Sequence, residues 1–122
     1  IYSCMRELGL EEFVSVLEKG LGRGESVSFD GIVRLHWHGD KVDDEGYVPS
    51  HDILEYNGHS RLTFKNEHYS LSMNGVHLFF EKREEKVSFM NEEGFQKQLS
   101  IPISVKDREY YLNIDTPENI FY

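Results

Sequence analysis

The sequence predicts an α+β domain, in which an N-terminal helix packs on a bent antiparallel β-meander or partial barrel. Three observations predict this class. Apolar residues near the N-terminus recur at helical spacing, and from about residue 26 onward they alternate with polar ones, as strands require. The connections between the strand-like segments are only a few residues long, too short for the crossover that parallel strands need. With 122 residues, we expect residues 1–122 to form a single domain.

The predicted helix has signals at both ends. Its apolar residues lie three and four positions apart and so form one stripe: Leu10, Phe13, Val14, Leu17 and Leu21. Glu11 and Glu12 fall in its first turn, where carboxylates favour the positive end of the helix dipole. Lys19 and Gly20 are typical of a C-terminal end, so the helix is expected to end there.

A long half-buried strand is predicted after the helix. Its apolar positions alternate with polar ones: Val27, Phe29, Val33, Leu35 and Trp37. The pair Asp30-Gly31 predicts a bend or bulge within it. Residues 40–46 are polar and acidic and predict a loop, whereas Pro49 leaves the segment 47–56 ambiguous between an edge strand and irregular chain. The pair Asn57-Gly58 predicts a tight turn.

The second half of the chain is typical of short strands joined by tight turns. We predict turns at residues 66–67, 74–75, 91–94 and 106–108, of which Asn74-Gly75 is the strongest hairpin signal. Pro102 lacks an amide proton, so the strand over residues 95–105 is expected to lie at an edge or to bend. Residues 116–122 are apolar enough to pack onto the body of the domain.

Composition excludes several classes of function. Acids outnumber Lys and Arg by 22 to 13, and the net charge is −9. The longest basic run is the pair Lys82-Arg83, so neither nucleic acid nor an anionic membrane is expected as a ligand. No apolar run approaches the roughly 20 residues of a membrane span. Cys4 is the only cysteine, so no internal disulfide is available and a cytoplasmic location is expected.

The negative charge is concentrated in the stretch from residue 40 to residue 55. Lys41 is the only base there against six acids, which gives the stretch a net charge of −5. A charged rim with tyrosine anchors is typical of protein interfaces. We therefore predict a partner-binding surface formed by Asp40, Asp43, Asp44, Glu45, Tyr47, Asp52, Glu55 and Tyr56. The alternative is a solvated acidic loop without a partner.

The histidines of the first strand are the second candidate site. His36 and His38 are two apart, so they belong to the same face of a strand. Two imidazoles at this spacing could share zinc or another divalent transition metal, with a third ligand from elsewhere in the chain. Two exposed strand histidines without a metal are the simpler interpretation, because a pair two apart is a weak pattern.

Motifs for an enzyme are weaker than these two candidates. The chain has no Gly-x-Ser-x-Gly elbow, and the glycines at 20, 22 and 24 lack the lysine of a phosphate-binding loop. The leading hypothesis is a non-enzymatic protein-binding domain, an acidic inhibitor or immunity-type protein that neutralises a basic toxin or enzyme. The alternative is a small β-barrel metalloprotein or metal-dependent enzyme using His36 and His38, which the metal content of the purified protein would distinguish. Because the chain begins at Ile1, a module of a larger assembly is a third possibility.

Overall fold

The structure, a computed structural model, describes residues 6–38, 50–91 and 97–122, and at positions 38, 50–53 and 91 the backbone alone. These residues form one helix and seven strands, which confirms the predicted α+β class. The elements are α1 (Leu10–Lys19), β1 (Ser26–His38), β2 (Ser50–Lys65), β3 (His68–Met73), β4 (Val76–Lys82), β5 (Ser88–Asn91), β6 (Lys97–Val105) and β7 (Arg108–Phe121).

The strands form one antiparallel sheet in the order β4-β3-β2-β1-β7-β6-β5. The sheet also closes on itself, because β4 pairs with β6 where Glu81 lies opposite Ser104 and Lys82 lies opposite Ile103. Six strands therefore form a ring, and β5 pairs with β6 outside it. The closure covers only two residue pairs, so the structure is the partial barrel that the sequence predicts.

The core consists of the alternate residues that face the inside of this ring, together with one stripe of α1. Its most completely buried apolar side chains are Phe13, Val27, Phe29, Val33, Leu71, Met73, Leu99, Ile103, Leu112 and Ile114. Phe13 of the helix meets Phe29 of β1 with 5.4 Å between ring centroids. The helix ends at Gly20, and the amide of Leu21 then donates to the Tyr69 hydroxyl at 3.1 Å. The helix is thus part of the same core as the sheet.

Three of the predicted turns are confirmed as two-residue hairpin connections. Both residues of each turn have positive φ: Asn66 and Glu67 (56° and 66°), Asn74 and Gly75 (44° and 86°), and Lys106 and Asp107 (50° and 66°). Such turns match the twist of the strands that they join. The predicted turn at residues 91–94 lies mostly outside the described residues, as does the predicted loop at residues 40–46.

The predicted turn at Asn57-Gly58 is wrong. Both residues lie within β2, with Asn57 opposite Ile32 and Gly58 opposite Gly31. A Cβ at position 58 would lie 2.7 Å from the hydroxyl oxygen of Tyr56, so a larger residue there would require the Tyr56 side chain to move. Pairing with β1 thus overrides the local turn preference, and the ambiguous segment before it becomes strand from Ser50 onward.

The edge position predicted for the strand containing Pro102 is also corrected. β6 pairs with β7 on one side and with β5 and then β4 on the other, so it lies inside the sheet. Pairing with β5 ends at Ser100 and pairing with β4 begins at Ile103, so Pro102 falls in the gap between them. Its carbonyl accepts from the Arg83 amide at 3.0 Å, and its missing N–H breaks no ladder bond.

The C-terminal segment extends β7 along the start of β1. Phe121 lies opposite Ser28, and the register shifts on both sides of Asp30. At each shift β7 advances three residues while β1 advances two, so the extra residues belong to β7. The bulge therefore lies in β7, opposite Asp30-Gly31, and not in β1 as predicted, since β1 pairs with β2 there without a shift. Within this irregular part of β7, Thr116 and Asn119 have positive φ (47° and 49°).

Candidate functional site

Charged and polar side chains gather on the side of β1, β2 and β7 that faces away from the core. β1 is the middle strand of the three, and its buried residues Val33 and Leu35 leave Arg34 on the opposite face. We call this surface the outer polar face, and it consists of Asp30, Arg34, Glu55, His59, Asp115 and Asn119. Its side chains form two clusters.

The first cluster is centred on Arg34. Its Nη1 donates to Oδ2 of Asp115, and its Nε lies 3.5 Å from Oε2 of Glu55. Asp115 is 4% exposed, whereas the Glu55 side chain is 62% exposed. Partial burial opposes the charge of Arg34, but attraction and hydrogen bonds from Asp115 and Glu55 outweigh it and raise the pKa of the guanidinium. One cation therefore lies between a buried carboxylate and an exposed one.

Two buried acceptors on this face lack a donor within the described ranges, namely Oδ1 of Asp115 and Oδ1 of Asn113. They are two residues apart on β7, and Asn113 lies opposite Arg34. A buried acceptor without a donor costs about 1–3 kcal/mol. Because Oδ1 of Asp115 lacks a donor in the described structure, the hydrogen bond that Arg34 donates to Oδ2 is especially important for stabilising this buried carboxylate.

The second cluster lies at the bulge of β7. Nδ1 of His59 is 2.8 Å from Oδ1 of Asp30, and Nδ2 of Asn119 donates to Oδ2 of Asp30 at 3.0 Å. The hydrogen bond from Asn119, followed by that from His59, lowers the pKa of Asp30. Both partners favour the ionised carboxylate, so the cluster is held together by the negative form of Asp30.

This lowered pKa makes the stability pH-dependent. A carboxylate whose pKa is lowered on folding contributes stability above its ordinary pKa, near 3.8, and the contribution is lost as the pH falls through the lowered value. We expect Asp30→Asn to flatten the decline in the free energy of unfolding between pH 5 and pH 2 (about this range). Denaturant titrations at several pH values measure this decline in the wild-type protein and in the variant. Asp107→Asn in the β6–β7 turn is the matched control, and an equal flattening there would contradict the assignment.

The partner-binding residues predicted from the sequence are only partly within the described residues. Asp40, Asp43, Asp44, Glu45 and Tyr47 lie outside them, and Asp52 is described by its backbone in β2.

The remaining two, Glu55 and Tyr56, occupy opposite faces of β2. Glu55 is exposed on the outer polar face, and Tyr56 is half-buried against the core. The structure therefore does not bring these two side chains onto one surface.

The histidine pair occupies alternate positions at the end of β1, as predicted. His36 is half-buried and lies opposite Asp52 of β2 and Tyr111 of β7, whereas the side chain of His38 lies outside the description. Among the residues described with side chains, no three of His, Cys, Asp or Glu come together as a metal site requires. The acids that could complete such a site lie outside these residues, so zinc binding stays a prediction.

Sequence reasoning missed most of the outer polar face. Asp30 meets His59 at a separation of 29 residues and Asn119 at 89, and Arg34 meets Asp115 at 81. The one local signal was the bend or bulge predicted at Asp30-Gly31, which lies opposite the place where β7 departs from regular pairing. Nothing in the spacing of the other residues indicates that they meet.

A second surface feature is a groove of about 590 Å³ between β4 and the β6–β7 turn. Phe79, which is 64% exposed, lines it together with His77, whose ring stacks on Phe79 with 6.4 Å between centroids. The groove is also lined by Glu81, Lys106 and Asp107, which are two acids and one base.

Comparison with known proteins gave no match to a protein-family model, to a curated protein or to a solved structure. Within the described part of the chain, no helix combines the length and the apolar character needed to span a membrane.

Proposed function

We propose that this chain is a non-enzymatic protein-binding domain that recognises a basic protein partner through the acidic end of the β1–β2 hairpin. Its role would be that of an inhibitor or immunity-type protein that neutralises a basic toxin or enzyme. The observation that supports this most is the position of that hairpin. β2 pairs with β3 only from Ser60 onward, so residues 50–59 extend beyond β3, and among the strands of the described residues they pair with β1 alone.

Charge supports a basic partner. The stretch from residue 40 to residue 55 carries a net −5 and joins the two paired strands of this hairpin, whose last described pair is His38 with Ser50. The outer polar face beside it has three carboxylates (Asp30, Glu55 and Asp115) and the guanidinium of Arg34. Arg61, exposed on the same side of β2, adds a second guanidinium next to this face. A surface of one sign steers an oppositely charged partner and raises the rate of association.

The described strands of the hairpin support a preformed framework next to the acidic stretch. β1 is paired along its length with β2 on one side and with β7 on the other. Arg34 ties the side chain of Glu55 to Asp115, and Tyr56 packs against the core. A surface that is ordered before binding loses less conformational entropy when the complex forms.

The proposal predicts that removing acid from residues 43–45 slows association. We expect the triple variant Asp43→Asn, Asp44→Asn and Glu45→Gln to lower the association rate constant about tenfold at low salt, because steering depends on local charge. Raising the salt is expected to shrink this difference, since surface charges are screened within about 10 Å at 0.1 M. The measurement is surface plasmon resonance at two salt concentrations with a partner isolated by pull-down.

The control has the same net charge but a different location. Glu11, Glu18 and Glu84 are exposed, and replacing all three with glutamine is expected to change the association rate constant less than threefold. Association that ignores salt, or that survives neutralisation of residues 43–45, would overturn the proposed function.

A further inference from the structure

β2 presents an open hydrogen-bonding edge next to the acidic stretch. The backbone of Phe64 fixes the orientation of the strand. Its N–H donates to the Glu25 carbonyl at 3.1 Å and its carbonyl accepts from the Gly24 amide at 2.8 Å, so both groups point toward the chain that leads into β1. The β1–β2 register then runs without a shift from Thr63 to Leu54. Since successive backbone groups point to alternate sides, even-numbered residues of this part of β2 bond to β1, and odd-numbered residues point away from it.

The odd-numbered residues fall into two groups. Those from 61 to 65 meet β3, which pairs with β2 from Ser60 to Lys65. Glu55, Asn57 and His59 lie beyond β3, and within the described ranges no strand pairs with their outward N–H and C=O groups. All three side chains are exposed. The backbone edge between residues 54 and 59 is therefore available to an added strand.

This edge lacks the common protections. Natural edge strands are often guarded by lysine or proline, and Leu54 to His59 contains neither. Its charge is instead acidic, since Glu55 belongs to it and the stretch with net −5 ends there. A second copy of this chain would place two such stretches side by side, which like-charge repulsion opposes. A basic segment would be attracted to the same edge.

We infer that the partner's binding element is an extended basic segment that adds to the sheet as a strand beside residues 54–59 of β2. This inference rests on the proposed function and names the chemistry of the partner. A residue opposite Glu55 shares the outer polar face, where lysine or arginine would meet carboxylates. A residue opposite Leu54 or Tyr56 lies toward the core side, where both are half-buried and an apolar side chain fits. The segment therefore alternates basic and apolar residues.

The test uses Asn57→Pro. Proline removes an N–H that points away from β1, so the β1–β2 ladder stays intact while a docking strand loses a bond and meets the ring. The probe is an octapeptide of alternating lysine and valine with blocked ends. We expect Asn57→Pro to weaken its binding at least about tenfold and Asn57→Ala to change it less than threefold. Isothermal titration calorimetry at two salt concentrations measures both.

Amide hydrogen exchange of the wild-type protein gives an independent readout, which also decides the matter if Asn57→Pro does not fold. The amides of Glu55, Asn57 and His59 are expected to become protected when the peptide is added, whereas those of Tyr56 and Gly58, already bonded to β1, are expected to change little. A peptide of four lysines followed by four valines keeps the charge and removes the alternation, and it is expected to bind at least tenfold more weakly.

The outcomes separate the two proposals. Salt-dependent binding that is equal in Asn57→Pro and Asn57→Ala, without new protection at the odd-numbered amides, overturns strand addition and leaves the acidic binding surface in place. Failure of the wild-type protein to bind either peptide at low salt overturns both. Protection of the odd-numbered amides together with weaker binding of Asn57→Pro supports strand addition.

Discussion

Phe13→Ala is expected to lower the free energy of unfolding by about 3–5 kcal/mol, the usual range for removing a buried phenylalanine. Phe13 has no exposed surface and contacts Phe29 across the junction of α1 and β1. Alanine would remove the ring and leave a cavity between the helix and the inside of the barrel. Equilibrium denaturation by urea, followed by circular dichroism and tryptophan fluorescence, measures the loss.

The control for this substitution lies on the same helix. Ser15 is exposed in α1, and Ser15→Ala is expected to change the free energy of unfolding by less than about 0.5 kcal/mol. We expect the fluorescence of Trp37 on β1 and the circular dichroism of the helix to show one common unfolding transition in every variant, because α1 shares its core with the sheet. A loss below about 1 kcal/mol in Phe13→Ala would mean that the helix is not part of the cooperative unit.

Local chemistry explains which parts of this fold could be predicted. The stripe from Leu10 to Leu17 and the alternation along β1 are properties of adjacent residues, and both elements form as predicted. Two Asn-Gly pairs show where such reasoning fails. Asn74-Gly75 forms its turn, whereas Asn57-Gly58 remains extended because β1 pairs with it on one side. The same dipeptide thus has two outcomes, and a distant strand decides between them.

The closure of the barrel depends on contacts of the same long range. β4 meets β6 and β1 meets β7, and no local signal in either strand indicates its partner. Pro102 illustrates the consequence: its missing N–H favoured an edge strand or a bend, whereas β6 lies inside the sheet and Pro102 falls between its pairings with β5 and with β4. A sequence pattern can show that a residue donates no ladder bond without showing which strands flank it.

The candidate site divides in the same way. Alternation predicted that His36 and His38 belong to one face of β1, and it equally places Glu55 and Tyr56 on opposite faces of β2. Alternation gives the face of a residue but not its neighbours on the next strand. The ion pair between Arg34 and Asp115 therefore became visible only with the β1–β7 register.

Arg34→Met is expected to lower the free energy of unfolding by about 3 kcal/mol, near the lower end of the range for breaking a buried ion pair. The loss comes mainly from Asp115, which is almost fully buried and already has one oxygen without a donor in the described structure. Because the Arg34 side chain is 29% exposed, Asp115→Asn is expected to cost less, about 1–2 kcal/mol. Denaturant titrations of the single variants measure both values.

A double-mutant cycle separates the interaction energy of the Arg34–Asp115 pair from the interactions that each residue makes with its surroundings. Arg34→Met combined with Asp115→Leu replaces both partners with apolar groups and is expected to recover most of the loss, because no buried charge remains. Arg61→Met is the matched control, since Arg61 is an exposed arginine on β2 that bonds to the Ser26 hydroxyl. It is expected to cost less than about 1 kcal/mol. Equal losses in Arg34→Met and Arg61→Met would contradict the role given to Asp115.

Arg34→Met also connects the stability of the domain with the proposed binding. Arg34 pairs with Glu55 and Asp115 on the outer polar face, so Arg34→Met leaves both carboxylates without this cation. Under conditions where the variant is still folded, we expect it to bind the alternating lysine–valine peptide more tightly than the wild-type protein, although it is less stable. Attraction between the added strand and Glu55 increases when its competing partner is removed. Unchanged or weaker binding by the folded variant would show that the charge of this face does not contribute to recognition.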